Sequence, residues 1–221
     1  NKALDLIEKR KFHPWEGGEG KVTDQYLFSL IELAKQAIQK KEYETAIDLL
    51  KRTEKYPDNL GEGKLYGTQE NDIHYWMGCA FEGLKNPEKA KNYWKKASIG
   101  LSEPSAAIFY NDQQPDKIFY QGLALLKLDK ENEANICFNN LFNYGKEHLN
   151  DEVKIDYFAV SLPDLLIWED DLKKRNIIHC HYLMGLGYLG LNDIIKSQKE
   201  LNVVLNLDAY HIGALIHIKD L

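Results

Sequence analysis

Small and large apolar residues recur along this chain at helical spacing, and they recur in register. In His74–Ala97, Gly78 is followed by Phe81, then by Ala90, Trp94 and Ala97. In Ile118–Leu141 the same offsets carry Gly122, Leu125, Ala134, Phe138 and Leu141, and in His181–Val204 they carry Gly185, Tyr188, Ser197, Leu201 and Val204. Leu30–Leu50 carries Ala34, Ala37, Ala46 and Leu50. Apolar positions three and four apart lie on one side of an α-helix, so each stretch predicts two amphipathic helices joined by a short turn. A small residue in the first helix lets the partner helix approach closely. The second small residue, twelve positions on, faces it, and the large residues after it fill the seam.

The predicted hairpins cover about 24–56, 71–100, 116–147 and 176–207. Residues 1–12 read as the second helix of a preceding unit, and residues 209–221 as one more, closing helix. Local signals agree. Asn86-Pro87 supplies a cap followed by proline at the first helical position, Asn192 or Asp193 can cap the second helix of the last hairpin, and Pro14 and Pro57 stop helices. A chain that opens on a second helix leaves an apolar face without its partner, so a fragment of a larger protein is expected.

These offsets resemble the tetratricopeptide repeat. The expected fold is all-α, a right-handed solenoid of helical hairpins over 1–221 with long inter-repeat connectors. Hairpins of that repeat succeed one another every 34 residues or so. Here the extra chain falls between hairpins, in runs such as HPWEGGEGKVT, PDNLGEGKLYGTQEN and GLSEPSAAIFYNDQQPD. Two connectors are copies. Ala3–Val22 and Ala46–Leu65 align without a gap and share the ending P-x-x-x-G-E-G-K, at Pro14–Lys21 and Pro57–Lys64. A phosphate loop is excluded, because Trp15 and Asp58 stand where its first glycine belongs and Val22 and Leu65 where its Ser or Thr belongs. Two readings remain for G-E-G. Either the glycines turn the chain while the glutamate caps a helix, or Glu19 and Glu62 face a ligand.

Composition narrows the function classes. The net charge of −6 argues against nucleic acid, which needs a basic footprint. No apolar run reaches the roughly 20 residues of a membrane helix, so membrane insertion is not expected. A cytoplasmic location is expected, with an export signal upstream left open. Cys79, Cys137 and Cys180 sit far apart among apolar residues and read as reduced, buried thiols. No cofactor, metal or catalytic residue is assigned: His179 and His181 point to different faces of a helix, and His211 and His217, six apart, are expected to diverge.

The pattern offers two candidate surfaces. Equivalent connectors of a solenoid stack along one edge, which would gather Trp15, Glu16, Glu19, Glu62, Tyr110, Asn111, Asp112, Asp156 and Tyr157; aromatic platforms and carboxylates of this kind hold sugars. The inner groove would be lined by Phe28, Ile31, Lys35, Asp72, Tyr75, Glu82, Phe119 and Tyr182, a mixture suited to a peptide or to an upstream domain of the same chain. The strings KFHPWEGGEGKV, LGEGKL, FYNDQQPDKIFYQGLAL and IDYFAVSLPDLLIWEDDL are similar to the C-terminal repeat region of a family of large bacterial proteins, in which a domain of unknown function precedes tetratricopeptide repeats. That resemblance implies a larger parent with a carbohydrate-related upstream part and supplies no reaction. The function expected is a non-catalytic interaction or scaffolding module, with a connector-borne carbohydrate site as the alternative.

Overall fold

A computed structural model describes residues 2–13, 18–107, 112–153, 171–219 and 221. Among these residues the fold is helical throughout, with no strand. The chain forms two compact units, 1–97 and 98–221.

The first unit holds α1 (Lys2–Lys9), α2 (Lys21–Gln39), α3 (Tyr43–Lys51), α4 (Asn71–Gly83) and α5 (Pro87–Ala97). The second holds α6 (Pro115–Lys127), α7 (Glu131–His148), α8 (Leu172–Gly190), α9 (Ile194–Leu207) and α10 (Ile212–His217). Helices α2/α3, α4/α5, α6/α7 and α8/α9 are hairpins. Within each unit they stack by one rule. The first helix of a hairpin touches the first helix of the next, α2 on α4 and α6 on α8, while the second helix packs against the next first one, α3 on α4 and α7 on α8.

The repeated offsets explain the hairpins. A Cβ added at Gly78 would lie 2.3 Å from the Trp94 ring, one at Gly122 2.4 Å from Phe138, and one at Gly185 2.8 Å from Leu201. The large residue sixteen positions on therefore fills the space that the glycine leaves. At the twelfth position, Ser197 Oγ donates to the Gly185 carbonyl at 2.9 Å, so the small residue does face the glycine slot. Phe138, Leu141, Leu183, Leu186, Leu201 and Val204 are fully buried around these contacts. Burying such side chains is worth roughly 1.5–3 kcal/mol each, which is what holds short helices together.

The hairpin turns repeat as well. Lys41, Lys85, Asp129 and Asn192 all adopt left-handed backbone, with φ of 65°, 57°, 59° and 62°. The next residue's N–H then returns to a carbonyl five residues back: Glu42 to Ala37, Asn86 to Phe81, Lys130 to Leu125, Asp193 to Tyr188. This is the six-to-one closure of a helix end, here at the same repeat position in all four hairpins.

Candidate functional site

The two G-E-G-K copies are neighbours. Glu62 Oε2 accepts a hydrogen bond from the Gly20 backbone N–H at 2.9 Å. Gly20 is the N-cap of α2 and has φ of 80°, a conformation that glycine takes without strain. The second copy's glutamate thus satisfies a donor at the start of the helix that the first copy opens. The rest of the second copy seals α1. Asn59 Nδ2 donates to the carbonyls of Ile7 at 2.9 Å and Arg10 at 2.7 Å, and the Asn59 carbonyl accepts from Phe12 N–H at 2.7 Å. Leu60 is buried among Leu4, Ile7, Tyr26 and Leu30. Lys64 Nζ reaches the Thr53 carbonyl at 3.3 Å and the Glu70 carboxylate at 2.5 Å. Despite the shared string, the two copies run into their helices differently: Lys21 begins α2 at once, whereas α4 starts only at Asn71.

Of the other connector candidates, Glu19 sits half-buried in the turn before Gly20, and Asp112 lies half-buried three residues ahead of α6. Trp15, Glu16, Tyr110, Asn111, Asp156 and Tyr157 lie outside the described residues. Glu62 is engaged by backbone.

The groove candidates divide between the units. In the first, Phe28, Ile31 and Lys35 lie on α2, where Ile31 is buried in the core rather than lining a groove, and Asp72, Tyr75 and Glu82 lie on α4. Lys35 is buried. Its Nζ lies 2.9 Å from Glu32 and 5.5 Å from the centre of the Trp76 ring, so the cation ties α2 to α4. Burial, with Cys79 and Glu82 beside it, pushes the Tyr75 phenol up. In the second unit Phe119 is core, edge-on to His217 with ring centres 5.1 Å apart. Tyr182 is buried too, but it lines a cleft, whereas Glu82 is exposed on the surface of α4.

The cleft, in the second unit, measures about 640 Å³. Its floor is one side of α8, where Lys174, Arg175, Ile178, His179 and Tyr182 come at helical spacing after Asp171. One wall is Ala106, Ala107 and the start of α6 at Gln114, Pro115 and Asp116; the other is Leu207, Asp208, His211 and Gly213, where α9 passes into α10. The 98–105 run beside it is held by its carbonyls. Gln121 Nε2 donates to Ser98 and Gly100, Gln113 Nε2 to Leu101, Asn140 Nδ2 to Ser102, and His179 Nε2 to Ser105 at 2.8 Å.

Asp116 is the centre of the cleft's polar groups. Its Oδ1 accepts from Tyr182 Oη at 2.8 Å and from His217 Nε2 at 2.9 Å. The bonds join α6, α8 and α10. Burial alone would raise the Asp116 pKa, but the His217 and Tyr182 hydrogen bonds bring it below the ordinary carboxylate value, so the group is ionised at neutral pH. Burial pushes the Tyr182 phenol far up, with the Asp116 charge adding to it.

Two imidazoles border the same cleft in fixed tautomers. His179 donates from Nε2, which leaves Nδ1 as an acceptor, and burial lowers its pKa to about 4. His211 Nδ1 accepts from Ala214 N–H at 3.1 Å and caps α10, so its proton is on Nε2. Burial lowers its pKa too. Both rings are neutral at pH 7. His211 and His217 do not diverge as their spacing suggests: both approach the Tyr182 ring, with centres 4.6 Å and 6.3 Å away. The reason is local. Helix α10 begins at Ile212, so His211 is a cap outside it and the helical rotation between the two residues does not apply. His181 instead ties α8 to α9 through Glu200, Nδ1 to Oε2 at 2.6 Å.

Two of the three thiols are buried as expected; Cys79, on α4, is instead half-buried. Cys137 and Cys180 are buried, and burial pushes both up to about 11, leaving them protonated. Among the described residues no group of three or more His, Cys, Asp or Glu side chains is arranged to hold a metal ion. No described helix is long and apolar enough to cross a membrane.

No family model matches the chain. Among solved structures it is similar to YrrB, a TPR protein with an unusual peptide-binding site. That likeness has 15% identity and a TM-score of 0.28, over 88% of this chain and 92% of YrrB.

Proposed function

We propose that this chain is a non-catalytic protein-interaction module and that the second unit's cleft receives an extended segment of a partner, either another protein or another domain of its own polypeptide. The observation that carries the reading is the cleft itself. Its volume of about 640 Å³ is that of a ligand site rather than a packing defect. Three separate helical segments wall it, and its lining offers acceptors, donors, both signs of charge and an aromatic ring. A peptide segment presents the complementary mixture. The connectors lend less to a sugar site, since Glu62 is already bonded to the Gly20 N–H.

The test is a random 12-residue peptide display library selected on the full chain, with calorimetric titration of the selected peptides. Ala106 is exposed at the rim, so Ala106→Trp blocks the cleft without touching the core. Selected peptides should bind the unaltered chain and lose at least about tenfold in affinity on Ala106→Trp, a loss of about 1.4 kcal/mol. Equal binding to both chains would overturn the reading.

A further inference from the structure

We infer that the cleft is built for an arginine side chain of the bound segment, with its guanidinium on the free oxygen of Asp116. This deepens the segment-binding reading and rests on it.

The asymmetry of Asp116 carries the inference. Both protein donors, Tyr182 Oη and His217 Nε2, bond to Oδ1. Oδ2 has no hydrogen-bond partner among the described residues. The side chain keeps 33% of its exposure and borders the cleft, so a ligand can reach it. A half-bonded, ionised carboxylate accepts most strongly from a charged N–H donor.

The surroundings favour arginine over a compact ammonium. Tyr182 and His211 are neighbouring rings, centres 4.6 Å apart, and both line the cleft with Asp116, Tyr182 almost fully buried and His211 half-buried. A planar guanidinium can stack on the half-buried His211 ring and has donors to spare. His179 supplies a second acceptor, Nδ1, left open by its bond to the Ser105 carbonyl. Both imidazoles are neutral, so neither repels a cation.

The remaining charges set the direction of approach. Asp171 and Asp208 border the cleft, as do Lys174 and Arg175. Asp171 Oδ1 is bonded to Lys174 N–H, and Asp208 Oδ1 to Tyr210 N–H, which leaves Asp116 as the carboxylate held by side chains alone. The two cations are adjacent near the start of α8, while Asp116 sits at the start of α6. An arginine therefore enters with its guanidinium towards α6 and α10, and its neighbouring acidic or carbonyl groups towards α8.

The test titrates the full chain with acetyl-Gly-Arg-Gly-amide and with the same peptide carrying citrulline, which has arginine's shape without its charge, and monitors backbone amide shifts by NMR. The arginine peptide should move the amides of Asp116 and His211 and bind about tenfold more tightly than the citrulline peptide at low salt. Asp116→Asn keeps an acceptor oxygen for Tyr182 and His217 and replaces the free oxygen with an amide, so it should erase that preference. A second variant covers loss of folding in the first. Lys174 is exposed, and Lys174→Glu should strengthen the arginine peptide about two- to threefold and leave the citrulline peptide unchanged. Equal affinity of the two peptides for the unaltered chain, or a preference that survives Asp116→Asn in the folded protein, overturns the inference. Library peptides that compete at the cleft with no enrichment of arginine would sink this inference and leave segment binding standing. Peptides indifferent to Ala106→Trp would sink both.

Discussion

The connector junction of the first unit and the cleft of the second are both polar, and they direct their polar groups in opposite ways. At the junction, Asn59, Glu62 and Lys64 are turned onto the chain's own backbone: the Ile7 and Arg10 carbonyls, the Gly20 N–H and the Thr53 carbonyl. At the cleft, Asp116, His179 and His211 each use one atom to fix position and leave another open. Where the sequence repeats itself, the chain binds itself. Where it does not, a shaped space is left with hydrogen-bonding capacity unused. Repetition of a motif is thus a poor guide to a ligand site, because a connector that recurs has its equivalent beside it to bond to.

The sharpest way to break that contrast is to damage the junction and watch the cleft. Leu60 is 1% exposed in the cluster that joins α1 to α2. Leu60→Ala should cost about 3 kcal/mol of stability in urea unfolding, while a selected peptide's affinity stays within twofold. Weakened binding by the folded variant would show that the junction serves the ligand.

The next effect is pH-dependent and belongs to the cleft. His179 has a folded pKa of about 4, below its ordinary value near 6.5. A group so depressed stabilises the fold fully above about pH 6.5 and loses that contribution as pH falls towards 4. The loss is on the order of 3 kcal/mol, and His211 adds to it in the same direction. His179→Gln keeps a donor for the Ser105 carbonyl and cannot titrate. It should remove the His179 share of the stability lost between pH 6.5 and 4, about 3 kcal/mol, measured by urea unfolding at a series of pH values. An unchanged pH profile would place the acid sensitivity elsewhere.

A smaller effect tests the junction's best-defined bond. Glu62→Gln weakens the acceptor for Gly20 N–H and should cost about 1 kcal/mol or less, with peptide affinity unchanged. A loss of binding instead would return Glu62 to the ligand.

The all-helical class and the hairpins were legible because their cause is local. Small residues at Gly78, Gly122 and Gly185, and large ones sixteen positions on, are fixed by the approach of two helices, and that approach is written in spacing. The pairing of the two G-E-G-K copies was legible for the same reason, although Glu62 caps the helix opened by the other copy rather than its own. Helix α2 starts at Lys21, ahead of the residue 24 that periodicity suggests, because left-handed Gly20 turns the chain straight into it. The cleft was not legible. Asp116 and His217 are 101 positions apart, and no periodicity joins them. One signal was present: Lys174, Arg175, His179 and Tyr182 give α8 a polar side at helical spacing, where a helix packed on every side would be apolar.

The smallest effect tests what the two units share. Lys85 and Asp129 occupy the same left-handed turn position, where a side chain costs stability. Lys85→Gly and Asp129→Gly should each stabilise by about 0.5–1 kcal/mol. Unequal effects in thermal unfolding would show that the hairpin turns of the two units differ after all.

The decisive measurement is hydrogen–deuterium exchange of the full chain with and without a saturating selected 12-residue peptide. Exchange should slow at residues 112–116, 174–182 and 208–214, with 18–22 and 59–64 unchanged. Protection of 18–22 and 59–64, with the three cleft segments unaffected, would move the binding surface to the connector junction and refute the cleft.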